Sequence, residues 1–211
     1  MTSPTSRDGW FDHQVALPPG LTAGRLGRVI SSVENEVEQF VDVYFEQANV
    51  FSTLVGIFAA RAFSALTVYE KPRHSDLAQQ RFPDLKRRGS ADPPLPNDSL
   101  EIKASLRPGA VPARYDHPGW YCVIRYLIDP TGTIEPGRHI VIWRMRMAFL
   151  STSDWKYEGS AASAGGGGRT HTFGVIRPAA KFRDAAVFSR PDIVIPDIVI
   201  RNGKPVPKNG A

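Results

Sequence analysis

Three side chains between Phe82 and Ser105 have the types and spacing for metal-assisted phosphodiester hydrolysis. Asp84 stands directly behind Pro83, a Pro- and Gly-rich turn follows, and Glu101-Ile102-Lys103 lies in a short apolar run. In a strand, side chains alternate between faces. Leu100, Ile102 and Ala104 therefore share a face that can be buried, and Glu101 and Lys103 share the other. With Leu85 in a preceding strand, the connection folds back and brings Asp84 beside Glu101. Two carboxylates and an ammonium then converge on one point. Oxygen ligands select hard cations such as magnesium, which polarise a phosphate and activate water. A lysine beside them can orient the attacking water and offset charge developing on the phosphate.

The acid-x-Lys pattern occurs three times, at Asp84-Leu85-Lys86, Glu101-Ile102-Lys103 and Asp154-Trp155-Lys156. Lys86 runs into Arg87-Arg88-Gly89, which reads as a turn, and Asp154 sits among Ser151, Thr152, Ser153 and Gly159, which reads as a loop. The Glu101 copy alone lies in an alternating strand with Pro-Asp upstream. Pro83-Asp84, a gap, then Glu101-x-Lys103 resembles the PD-(D/E)xK nuclease superfamily, with its restriction-endonuclease-like fold. The resemblance is carried by the stretch from Phe82 to Ser105.

That resemblance implies an α/β fold with an αβββαβ core, a mixed central sheet flanked by helices. It implies Asp84 and Glu101 as ligands of Mg2+, with Mn2+ able to substitute, and Lys103 at the attacking water. The family often adds an acid from its first core helix, for which Glu36 and Glu46 are rival candidates. With no ATPase motif and no accessory domain in view, the chain looks most like a stand-alone type II restriction endonuclease. A repair, recombination or phage nuclease of the same fold is the alternative, and a DNA-binding module without chemistry is another. The implied partner is double-stranded DNA, with no nucleotide cofactor, and cutting both strands favours a homodimer.

Length and composition fit this frame. The chain has 211 residues, 42% of them hydrophobic, and a formal charge of +5. It is long enough for one sizeable core, read as an irregular arm over 1–21 and a single domain over 22–211. Arginine makes up most of the basic residues and suits bidentate phosphate contacts. The single cysteine, Cys122, permits no disulfide within the chain, and no histidine has zinc-ligand spacing with it. The N-terminus lacks the basic-then-apolar pattern of a signal peptide. The apolar segment Leu54–Val68 is interrupted by Gly56, Arg61 and Ser64, too broken to span a bilayer. The expectation is a soluble cytoplasmic protein with no membrane partner.

The elements that must hold the site follow from periodicity. Thr22 caps a helix running to about Gln47, with Leu26, Val29, Ile30, Val33 and Val37 on its apolar stripe. Glu34, Glu38, Asp42 and Glu46 fall away from that stripe, and Glu36 lies at its edge. Phe51 to about Ala65 reads as a second helix capped by Ser52. Leu66 to Tyr69 is either that helix's end or a first strand, and Lys71 to Gln80 is a connection. Arg107 to Pro118 reads as a loop, and Tyr121–Ile128 and His139–Leu150 as two strands. The second strand sets Trp143, Met145 and Met147 against Arg144, Arg146 and Ala148. Arg144 and Arg146 thus share a face, either solvated or turned toward a phosphate backbone. Gly159 to Gly168 reads as a linker with no Walker pattern, followed by a strand from Arg169 to Ile176. Pro178 to Phe188 reads as a short helix. The two PDIVI copies of the tail, Pro191–Ile195 and Pro196–Ile200, read as extended segments.

Overall fold

The computed structural model describes residues 7–72, 82–106, 116–162, 169–175, 181–182, 184–195, 198–201 and 204–207, with backbone only for 49, 156–162, 169–175, 198–201 and 204–207. The segments expected as the connection after Lys71, the loop after Arg107 and the glycine linker fall largely or partly in 73–81, 107–115 and 163–168, outside the described residues.

Thr22 does cap the first helix, α1 (Ala23–Val37), its Oγ1 accepting the Arg25 N–H at 3.3 Å. The expected run to Gln47 is tightened once into a 3-10 turn at Glu38–Phe40 before α2 (Val41–Glu46). Helix α3 spans Ala48–Leu66. Ser52 is not its cap. It lies inside the helix, and its hydroxyl sits 2.6 Å from the Tyr126 hydroxyl, tying α3 to the sheet.

Six strands form one mixed sheet. They are β1 (Tyr69–Glu70), β2 (Leu85–Arg87), β3 (Ser99–Ser105), β4 (Gly119–Ile128), β5 (Ile140–Leu150) and β8 (Ala186–Ser189), and they lie side by side in the order β1-β2-β3-β4-β5-β8. Only the β3–β4 pair is parallel. Separate two-stranded ladders join β6 (Trp155–Ala162) to β7 (Arg169–Val175) and β9 (Ile198–Arg201) to β10 (Lys204–Pro207). The fold is α/β, as expected. A helix between the third and fourth strands, as in an αβββαβ scheme, would fall between Ser105 and Gly119, where 107–115 lie outside the described residues.

The helices cover one face of the sheet. The stripe of α1 and the inner side of α3 (Phe51, Val55, Ala59, Phe63) pack with Leu100, Ile102, Cys122, Ile124, Ile142, Met145 and Met147 in a single core. The β5 alternation breaks once. The register passes from Arg125↔Arg144 to Tyr126↔Ile142, so Trp143 is an extra residue. Such a bulge reverses the facing of the residues on its far side. Trp143 therefore packs with Val141 and Ile193, apart from Met145 and Met147.

Several expectations fail for tertiary reasons. Glu34, placed away from the stripe, is fully buried: it accepts the Ile142 N–H at 2.8 Å and meets Arg7 at 2.8 Å and Arg138 at 3.6 Å. Glu38, expected on the same polar face, accepts the His139 backbone N–H at 2.9 Å and lies 2.6 Å from His139 Nδ1. Lys86, read as part of a turn, lies in β2. Trp155 to Ala162 is strand, so neither Trp155-Lys156 nor the start of the expected linker is loop. Ala186 to Phe188, expected in a helix, form β8 and pair with β5. Its apolar pair Val187 and Phe188 is too short for period to separate helix from strand. Trp10 and Phe11 lie against Phe188 with ring centroids at 5.9 and 5.1 Å. Among the described residues, no helix is long and apolar enough to cross a membrane.

Candidate active site

The site forms where a ladder stops early. β2 pairs with β3 through Leu85↔Leu100 and Lys86↔Ser99. The next positions back along β2 are Asp84 and Pro83, and proline has no N–H to continue the pairing. The Asp84 side chain takes over: its Oδ2 accepts the Ile102 N–H at 2.8 Å. In return the Asp84 N–H donates to Glu101 Oε2 at 3.1 Å. Lys103 Nζ donates to Glu101 Oε1 at 2.6 Å. Sequence reasoning brought these three residues together, and the structure places them within one hydrogen-bonded set. The backbone link through Ile102 was not foreseen. Its signal was Pro83, which marks where β2 must end.

Asp84, Glu101 and Lys103 open onto a cavity of about 710 Å³ whose far wall is α3. The Glu101 side chain is only 14% exposed, so its charge is poorly solvated. Burial pushes its carboxyl above the usual range and the Asp84 charge adds to this, while the Lys103 ammonium offsets part of it. Two carboxylates thus face one ammonium in a half-buried place. That oxygen set fits a hard divalent cation, which one or two protein carboxylates can hold with water and phosphate oxygens as the remaining ligands.

No third acid, histidine or cysteine completes a metal-holding group among the described residues. Glu36 accepts the Ser32 hydroxyl at 2.8 Å and lies 4.0 Å from Arg61. Glu46 is exposed at the end of α2. Neither helix acid joins the pair.

Arg144 and Arg146 occupy the sheet face that carries Glu101 and Lys103. Residues directly opposite in neighbouring strands point the same way. Lys103, Val123 and Arg146 make one such row, and Ser105, Arg125 and Arg144 the next. Arg125, missed by sequence reasoning, is buried on β4 opposite Arg144. Burial, and then the charges of Arg146 and Arg144, push its guanidinium down to about 10. Arg144 lies over the Trp143 ring at 4.6 Å. Both strand arginines are half-buried, so the face is not freely solvated.

No family model matches the chain, and no curated protein or solved structure matches it either.

Proposed function

We propose that this protein is a magnesium-dependent DNA endonuclease of the PD-(D/E)xK type, most specifically a type II restriction enzyme acting in the cytoplasm. The observation that carries the reading is the closed set Asp84–Ile102 N–H, Asp84 N–H–Glu101 and Glu101–Lys103, standing on one cavity wall. The strand sequence β1-β2-β3 after the helices supports the same core. Binding alone would not require two acids held together in a half-buried place, since an uncompensated carboxylate there repels a phosphate.

Magnesium, when bound, supplies Lewis-acid stabilisation of the charge that builds on the phosphate. Asp84 and Glu101 would hold it on the wall of the cavity. Lys103 stays a donor throughout, because an ammonium has no acceptor with which to ligate a metal. Its hydrogen bond to Glu101 aims Nζ at the same point, where it orients the attacking water and stabilises developing negative charge. Lys103, together with the bond from the Asp84 N–H, favours the ionised form of Glu101 against its burial. With one such acid pair among the described residues, cutting both strands of a duplex uses two copies, as in a homodimer.

The test is incubation of the purified protein with plasmid DNA and magnesium, then with manganese. Discrete fragments are expected for a restriction enzyme. A smear assigns the site to a nuclease without sequence preference. Intact plasmid with both metals overturns the reading.

A further inference from the structure

The cavity has a second wall whose chemistry the acid pair does not use. Arg61 from α3 and Lys71, just past β1, line it together with Asp84, Glu101 and Lys103, so three cations stand against two carboxylates. Lys103 is committed to Glu101 at 2.6 Å. Arg61 is 66% exposed, pairs only loosely with Glu36 at 4.0 Å and lies over the Phe58 ring at 5.2 Å. Lys71 is exposed, and among the described residues no hydrogen bond or ion pair holds it. Two exposed cations, one of them only loosely paired, therefore face an ammonium that is tightly held.

The wall between them is recessed. Ser52, Gly56, Ala60 and Ser64 recur every four residues and so lie along one side of α3. A Cβ added at Gly56 would meet nothing within 4 Å. At 1.5 Å per residue this recess runs for about 18 Å, longer than a single phosphate needs. Arginine adds a planar fork that matches phosphate oxygens.

We propose that this α3 wall is a track for the phosphate backbone, with Arg61 and Lys71 as positioning residues. They hold phosphates that flank the one at Asp84 and Glu101, and so favour a polynucleotide strand over a lone phosphodiester. The inference rests on the nuclease reading and specifies how its substrate is held.

The test measures binding of a duplex oligonucleotide in calcium, which permits binding without turnover, across a salt series. The chains compared are wild type, Arg61→Ala, Lys71→Ala, their double variant, Arg61→Lys, and the control Arg28→Ala on the exposed side of α1. Removing one cation from a bound phosphate should make the slope of log affinity against log salt shallower by about 0.9. The double variant should bind at least about tenfold more weakly in low salt, while Arg61→Lys and Arg28→Ala keep the wild-type slope. Gly56→Leu, which favours helix and has room for its side chain, should weaken binding by filling the recess while leaving the slope unchanged. Hydrolysis of bis(p-nitrophenyl) phosphate with magnesium should be unaffected in Arg28→Ala and should fall far less than DNA affinity in the double variant, because that substrate has no flanking phosphate. If wild type binds DNA and the double variant keeps its affinity and slope, the track is wrong and the nuclease reading stands. If wild type binds no DNA at all, both fall.

Discussion

Asp84 does two things at once, and this decides how it should be tested. One carboxylate oxygen replaces the missing strand partner of Ile102, and the other is the one that would ligate the cation in the proposed reading. Asp84→Ala would disturb the middle of β3 as well as the proposed metal site. Asp84→Asn keeps an oxygen for the Ile102 N–H and removes only the charge. We expect Asp84→Asn and Glu101→Gln to abolish cleavage in magnesium while thermal melting stays close to wild type; cleavage at the wild-type rate by either would remove that residue from the site. Lys103 is separable from both. Lys103→Ala should keep calcium-supported DNA binding yet lose about 10²–10³ in cleavage rate, the usual worth of a donor aimed at developing charge. Lys103→Arg should rescue poorly, because a planar fork does not replace a compact point charge. Normal cutting by Lys103→Ala would make it a structural lysine whose partner is Glu101.

At the scale of elements, α1 is fastened to the sheet by acids rather than by its apolar stripe alone. Glu34 is buried against the Ile142 N–H and the guanidiniums of Arg7 and Arg138. Removing one member of such a set leaves the others buried without a partner, so Glu34→Ala should destabilise the protein by about 3–5 kcal/mol in urea unfolding. Glu34→Gln should do less damage, since it still accepts the Ile142 N–H. Glu38 gives a pH signature. Burial tends to raise its pKa, but the bonds from the His139 side chain and from the His139 and Ile140 N–H groups outweigh this and hold it below the ordinary value. The unfolded chain titrates higher, so the stability Glu38 contributes is present above its unfolded pKa and is lost as pH falls through the folded one. Acid unfolding of Glu38→Gln should lack that component, and an unchanged acid transition would count against it. These acids also show where the sequence stops being legible. Helical period placed the stripe of α1 correctly, and strand alternation placed Glu101 and Lys103 opposite Leu100 and Ile102. Period cannot see a partner from a distant element. Glu34 is inside because Arg7 and the β5 backbone meet it there, more than a hundred residues away in the case of Ile142. Trp143 changes side because of a bulge, and β8 is strand because β5 offers it an edge. The acid pair was readable because its parts are close in sequence, whereas the α3 wall was not, since Arg61 and Lys71 acquire meaning only when β3 is laid beside them.

At the scale of the whole molecule, four cations stand near the acid pair. Arg61 and Lys71 stand in the cavity, and Arg144 and Arg146 stand on the sheet face that begins with Glu101 and Lys103. The chain as a whole carries +5. A polyanion approaching the site thus meets cations on two sides of it. Each phosphate neutralised releases condensed counterions, so log affinity falls linearly with log salt, by about 0.9 for every contact. Four contacts from these arginines and the lysine predict a slope of about −3.6 for duplex DNA in calcium. The two strand arginines should be probed as Arg144→Gln and Arg146→Gln, which keep much of the half-buried stem in place. Each should make the slope shallower by about 0.9 with little change in melting temperature. Arg125 should behave differently. It is buried opposite Arg144, and burial first, then the charges of Arg146 and Arg144, hold it down, so Arg125→Gln relieves strain beneath the face instead of removing a phosphate contact. Its salt slope should match wild type. A slope near zero for wild type would mean that no phosphate is bound, and an equal effect of the Arg125, Arg144 and Arg146 variants would mean that the three act as one packed structural unit and not as a graded surface for DNA.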